Sequence, residues 1–177
     1  ILIFWSSIML FVFDIDQTII DSTIRENDCW QADILDLEKY QATKKQGIKS
    51  DCLLPLGHWL ENNAHLLNFV LVTSRGLNAY DWQSFFNLMP NVSEHANRIV
   101  SRNNAEKFGS SAFIQCSGLY KKPIFKALQN HYEKQLVVFD DDLKVINMAK
   151  NEGWKTVCAR DLWHYTANEI QELIVSL

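Results

Sequence analysis

Three prolines and six glycines in 177 residues are too few for a collagen-like or linker composition, and no low-complexity tract marks a domain boundary. No apolar run approaches the roughly 20 residues that a membrane-spanning helix needs, so no membrane partner is expected. A basic excess is missing as well. Lys and Arg number 17 against 21 Asp and Glu, a net charge of −4, which withholds the broad positive surface that long duplex nucleic acid requires. The four cysteines, Cys29, Cys52, Cys116 and Cys158, form no CxxC pair and have no histidine spaced to complete a zinc site. They read as reduced thiols of a cytoplasmic protein, the alternative being two disulfides in a secreted domain. No GxxxxGK[ST] phosphate loop occurs, which excludes a P-loop kinase half.

What the chain has is apolar and aromatic: 47% hydrophobic residues, with ten Phe, six Trp and five Tyr, enough for one packed core and too much for a disordered chain. Residues 1–8, ILIFWSSI, lack the basic leader and small-residue cleavage site of a secretory signal. They read as an N-terminal extension, an extra edge strand or a docked tail, with 9–177 as a single domain.

Four apolar runs have the form of strands buried on both faces: LFVFDID (Leu10 to Asp16), NFVLVTSRG (Asn68 to Gly76), QLVVFDDD (Gln135 to Asp142) and WKTVCA (Trp154 to Ala159). Helical spacing of apolar residues occupies Leu53 to Leu67, Ala79 to Met89, Pro123 to Tyr132 and Leu143 to Glu152. Proline at a first helical turn opens the third, and Gly153 offers a left-handed stop to the fourth. Arg98 to Arg102 and Ala112 to Gln115 are candidate short strands. This alternation predicts an α/β fold: a three-layer, Rossmann-like parallel sheet with helices on both faces.

In open parallel sheets ligands gather beyond the carboxyl ends of the strands. Asp14 and Asp16, Thr73 to Arg75, and Asp140 to Asp142 all stand at such ends, so three remote segments are expected to meet. Carboxylates gathered there repel one another and cost several kcal/mol each if buried uncompensated. Hard oxygen donors in that number suit Mg²⁺ completed by a substrate phosphate, and Arg75, Lys121 and Lys122 are the cationic side chains in reach.

These residues carry a family resemblance. DIDQT, Asp14 to Thr18, resembles the DxDxT signature of the haloacid dehalogenase (HAD) superfamily. VLVTSRG resembles its second motif through Thr73, Lys122-Pro123 before a helix resembles its lysine motif, and VVFDDD resembles its acidic metal motif. The resemblance covers Leu10 to Ala159 and implies a Mg²⁺-dependent phosphomonoesterase with a small cap or none. Asp14 would be the nucleophile and Asp16 the general acid and base. Thr73 would bind a phosphoryl oxygen, and Lys122 would neutralise charge, with Lys121 as its rival. Asp14, the Asp16 carbonyl and one acid of the Asp140–Asp141 pair would hold the metal. Asp141 is preferred because its distance to Gly153 matches that of the metal-binding Asp in relatives, and Asp140 would then orient Lys122 or a metal-bound water. Asp142 is expected to cap the following helix, the alternative being a group that supports the metal ligands from behind, and Thr18 to tie the turn after the strand.

The TSR sequence at Thr73 to Arg75 is similar to that of the phosphatase domain of phage-type polynucleotide kinase-phosphatases, which implies that Ser74 and Arg75 contact substrate phosphate. DSTIRE, Asp21 to Glu26, resembles the corresponding loop of nucleotide-directed relatives and would bring Arg25 to the substrate mouth. AFIQCSGLYKKP, Ala112 to Pro123, lacks the arginines of the polynucleotide group, and the acidic net charge also disfavours a long polymer. The expected partner is a phosphorylated small molecule or nucleotide, with a nucleic-acid end as the alternative. Trp30, Tyr120, Trp163, His164 and Tyr165 are aromatic candidates for stacking a base or for core and lid packing. A receiver-like phospho-acceptor is the competing class, but its acid pair follows the first strand and its lone acceptor lies mid-chain, whereas here the doubled acids come late. A non-catalytic phosphate-binding module would be expected to lack Asp14 or Asp16.

Overall fold

Met9–Phe13 (β1) is a run of five apolar residues, every one buried, and such a strand must be covered on both faces. The computed structural model describes residues 8–26, 29–31 and 34–177, and at 25, 26, 30, 31, 34, 35, 37, 41 and 44–48 the backbone alone. The expected N-terminal extension therefore lies almost wholly outside the described residues. After β1 the described elements are β2 (Ile20–Asp21), α1 (Thr23–Glu26), β3 (Trp30–Gln31), β4 (Ile34–Leu35), α2 (Leu37–Ser50), β5 (Cys52–Leu53), α3 (Pro55–Asn63) and β6 (Phe69–Val72). Then come α4 (Ala79–Leu88), α5 (Pro90–Ser93), β7 (Ile99–Val100), α6 (Ser117–Tyr132), β8 (Gln135–Asp140), α7 (Leu143–Asn151), β9 (Lys155–Cys158) and α8 (Ala167–Ser176).

The main sheet has the order β7-β6-β1-β8-β9, and every pairing in it is parallel. Because strand side chains alternate between faces, each strand feeds two cores. Phe11, Phe13, Phe69, Leu71, Val137 and Phe139 pack with Trp59 and Leu60 of α3, Phe85 of α4 and Ile170 and Ile174 of α8. Leu10, Val12, Val70, Val72, Leu136 and Val138 pack on the opposite face with Ile124 and Phe125 of α6 and Val145 and Ala149 of α7. Phe13 and Phe139 stack with ring centroids 4.7 Å apart, directly beneath the two strand ends that carry Asp14 and Asp140. Removing the Phe13 ring would cost roughly 3–5 kcal/mol and loosen the floor of the site. The three-layer α/β architecture is the one expected.

The turn after β1 is set by close packing. Backbone amides of Thr18, Ile19 and Ile20 all point to the Ile15 carbonyl, and Gln17 takes a left-handed conformation at φ 56°. Helix α3 lies against this turn at Gly57, where a Cβ would stand 2.1 Å from the Ile19 carbonyl oxygen; only glycine permits that approach.

Several expectations need correction. Ala112 to Gln115 is not a strand; Arg102 donates to the carbonyls of Ala112 and Ile114 and holds the segment as a loop. Within Arg98 to Arg102 only Ile99–Val100 pairs with the sheet. The Leu53 to Leu67 pattern resolves into α3 and a single 3₁₀ turn, Ala64–Leu66. The third helix starts at Ser117 and not at Pro123, so the proline lies inside it, where its ring removes one backbone donor without ending the helix. Between Thr18 and Thr73 the chain adds the 14-residue helix α2 and two short antiparallel pairs, β2 with β5 and β3 with β4. This small insertion packs through α2 onto α4. The α7 stop is as expected, with Gly153 at φ 81°.

Candidate active site

Parallel pairing puts the ends of β1 and β8 side by side, and the Asp14 amide donates to the Phe139 carbonyl at 2.9 Å. Each strand then releases an acidic residue at the same edge. One carboxylate oxygen from each of Asp14, Asp140 and Asp141 lies within 4.8 Å of the others. Asp14 and Asp140 are buried and Asp141 is partly so. The Asp142 carboxylate accepts from the Lys144 amide at 2.8 Å and caps α7, its expected place.

The cation inside this cluster is Lys121, not Lys122. Lys121 Nζ is 2.5 Å from Asp14 Oδ1 and 2.7 Å from Asp140 Oδ2, and its side chain is 2% exposed. Lys122, one residue on, points to Glu152 instead and pairs with it at 2.5 Å. The reason is helical phase: Lys121 precedes Ile124, Phe125 and Leu128 by three, four and seven residues and shares their buried stripe. That stripe was visible in the chain, but starting the helix at Pro123 hid it.

A single ammonium does not neutralise three carboxylates. Burial pushes the Asp140 carboxyl up to about 7, with Asp14 adding to the rise and Lys121 opposing it. Burial, then Asp14, pushes Asp141 up to about 6 against the pull of Arg160, whose Nη2 lies 3.2 Å from Asp141 Oδ2. Lys121 is driven above the ordinary lysine value because Asp14 and Asp140 outweigh its burial. Crowded, partly buried carboxylates with protonation made easier in this way are a donor set that fits a hard divalent cation.

Beside the cluster lies a second group of charges. Arg75 Nε is 2.7 Å from Asp16 Oδ2, Nη2 pairs with Asp16 Oδ1, and Nη1 is 3.1 Å from Asp81 Oδ1. Ser22 Oγ donates to Asp16 Oδ1 at 2.9 Å. Asp81 forms the capping box of α4 with Asn78, a pattern legible in NAYD but not connected to the site by sequence reasoning.

Thr73 is buried at the end of β6, and its Oγ1 accepts from the Arg75 amide at 3.2 Å. Ser74 Oγ is buried and has no hydrogen-bond partner among the described residues. The Ser74 carbonyl accepts from Arg102, whose guanidinium also lies over the Tyr120 ring, 4.8 Å from its centroid. The Thr18 hydroxyl likewise has no partner among the described residues, so the turn is tied by the Thr18 backbone and not by its side chain. Arg25 lies in α1, and its side chain, like that of Trp30, is outside the described residues. Tyr120 belongs to the core; Trp163 Nε1 donates to the Gln17 carbonyl at 3.0 Å, beside the Asp16 turn, while His164 and Tyr165 are exposed. All four cysteines are free.

A family model described as bacteriophage T5 5'-deoxynucleotidase matches residues 6–175. The chain belongs to the bacteriophage T5 5'-deoxynucleotidase family. As a member it is a phosphatase, a hydrolase of phosphoric monoesters. No curated protein matches it. Among solved structures, CbbY from Rhodobacter sphaeroides, determined in complex with phosphate, aligns with a TM-score of 0.54 over 84% of each chain at 12% identity, which shows a shared HAD-like fold. The family match carries no support for the polynucleotide kinase-phosphatase likeness of the TSR segment. Among the described residues no helix is long and apolar enough to cross a membrane.

Proposed function

We propose that this phosphatase removes the phosphate of a deoxynucleoside 5'-monophosphate through an aspartyl-phosphate formed on Asp14. The observation that carries the reading is the Asp14 carboxylate at the end of β1, held by Lys121 and crowded by Asp140 and Asp141. The family match supports the nucleotide, and the acidic net charge disfavours a polymer.

An Asp14 oxygen attacks phosphorus as the ester P–O bond breaks on the opposite side. Asp16 gives a proton to the departing sugar oxygen, which requires that Oδ1, paired with Arg75 Nη2 and Ser22, turns toward the substrate while Oδ2 stays on Arg75 Nε. It then takes a proton from the water that attacks phosphorus, which restores the Asp14 carboxylate and releases inorganic phosphate. Lys121 offsets the charge on Asp14 and the transferring group, the role first expected of Lys122. The Thr73 hydroxyl and the Ser74 hydroxyl, which has no partner among the described residues, offer donors for phosphoryl oxygens. Asp14 and Asp141, with the Asp16 carbonyl, would hold Mg²⁺, and Asp140 would hold Lys121. When bound, Mg²⁺ supplies the positive charge that three carboxylates and a phosphate together demand.

A panel of deoxynucleoside 5'-monophosphates, unrelated phosphomonoesters and 3'-phosphorylated oligonucleotides, assayed with Mg²⁺ and with Asp14→Asn as the blank, tests this. Phosphate release from the mononucleotides alone is expected. Preference for the oligonucleotides would restore the 3'-end reading, and full turnover by Asp14→Asn would remove Asp14 as nucleophile.

A further inference from the structure

The route from Asp16 back into the fold does not end at Arg75. Arg75 is 8% exposed and meets carboxylates at both ends, Asp16 at the sheet edge and Asp81 behind it. Asp81 is 3% exposed and divides its two oxygens: Oδ1 takes Arg75, and Oδ2 takes the Asn78 amide at 2.8 Å in the α4 capping box. The result is a continuous run of charge-assisted bonds from the first turn of a helix to the carboxylate two residues beyond the nucleophile. A guanidinium is suited to this because its planar fork fixes the angle of a carboxylate as well as its position, which an ammonium does not.

The alternative use of Arg75, direct contact with substrate phosphate, needs a guanidinium that is free to leave its partners. Here it is enclosed, and freeing it would leave Asp81 buried without this counter-charge. From this geometry we infer that Arg75 is a positioning residue, anchored by Asp81, that sets the orientation of Asp16 for proton transfer and does not itself bind the substrate. The inference rests on the reading of Asp16 as the general acid and base. It assigns Asp81 a part in turnover without contact with the reacting atoms.

Asp81→Asn isolates the contact. The side-chain oxygen can still accept from the Asn78 amide, so the helix cap survives, while the amide nitrogen opposes Arg75. Two esters separate positioning of an acid from general damage: a deoxynucleoside 5'-monophosphate, whose leaving oxygen needs a proton, and p-nitrophenyl phosphate, whose leaving group does not. Asp81→Asn is expected to lower kcat/KM on the nucleotide, which reports the steps up to the aspartyl-phosphate and not its hydrolysis, roughly 10²-fold, the scale of a mispositioned catalytic group, with kcat/KM on the aryl ester little affected. Placed on Asp16→Asn, it should have no further effect on the nucleotide, because the group it positions is already gone.

Equal losses of kcat/KM on both esters, or losses that add in the double variant, would overturn the inference and return Arg75 to the substrate. If Asp81→Asn does not fold by circular dichroism, Arg75→Lys carries the same test, since lysine keeps the charge without the fork; wild-type kcat/KM on the nucleotide would then refute the role. A wild-type protein without Asp14-dependent turnover removes both the reading and the inference, whereas an active wild type with an additive cycle removes only the inference.

Discussion

Lys121 Nζ stands between Asp14 and Asp140, 2.5 Å from the Oδ1 of Asp14, with its side chain almost wholly enclosed, while the adjacent Lys122 is half-buried and pairs with Glu152. Lys121→Met should lower kcat by about 10²–10³-fold, the loss typical of one preorganised charge at a transition state. Lys122→Ala should leave kcat unchanged and shift stability by no more than about 0.5 kcal/mol in urea unfolding, as for an exposed pair. The reverse ranking would contradict the placement of the two lysines.

Removing Mg²⁺ tests the acidic cluster. Because a ligand of the native state stabilises it by mass action, saturating Mg²⁺ should raise the melting temperature, by an amount equivalent to about 2.7 kcal/mol at 100 times Kd. Asp141→Asn should lose most of that rise, and chelation should abolish turnover. A melting temperature indifferent to Mg²⁺ in the wild type would contradict the donor set.

Tyr120 gives a pH dependence of known sign. Burial pushes its hydroxyl up to about 12, against the opposing pull of Arg102 and Lys121. With the folded value raised, the unfolded chain ionises first, so stability is fully present below about pH 10 and declines as pH rises toward 12. Tyr120→Phe should remove this part of the alkaline decline. It should cost little at pH 7, because the hydroxyl has no partner among the described residues. An alkaline transition of the same size in both proteins would contradict the assignment.

Gly57→Ala probes the turn that carries the acids. The added Cβ would press on the Ile19 carbonyl, backbone against backbone, so at least the roughly 1–3 kcal/mol of core overpacking is expected in urea unfolding, with a parallel fall in kcat. Unchanged stability would show that α3 and the turn are not rigidly apposed.

The parts of this site that could be read from the chain are those written as contrasts. Asp14, Thr73 and Asp140 each follow an apolar run, and an apolar run that ends in a polar residue gives both a buried strand and the edge where it emerges. Asp142 as a helix cap was legible for the same local reason. What was not legible depends on phase or on distance. Choosing between Lys121 and Lys122 requires the start of α6, and Pro123 drew that start six residues too far along the chain. The pairing of Arg75 with Asp16 and Asp81 brings together residues 59 and 6 positions apart, and no periodicity encodes it. Ala112 to Gln115 misled because its edge position is set by Arg102, a long-range contact and not a strand propensity.

The most direct measurement is to quench the wild-type protein during turnover of a 5'-[³²P]deoxynucleotide, reduce the acyl-phosphate with borohydride and map the modified residue by peptide mass spectrometry. Aspartate at position 14 should be converted to homoserine, and only in the presence of substrate. Modification of any other residue, or a phosphoryl group retained on histidine or serine, would contradict the account.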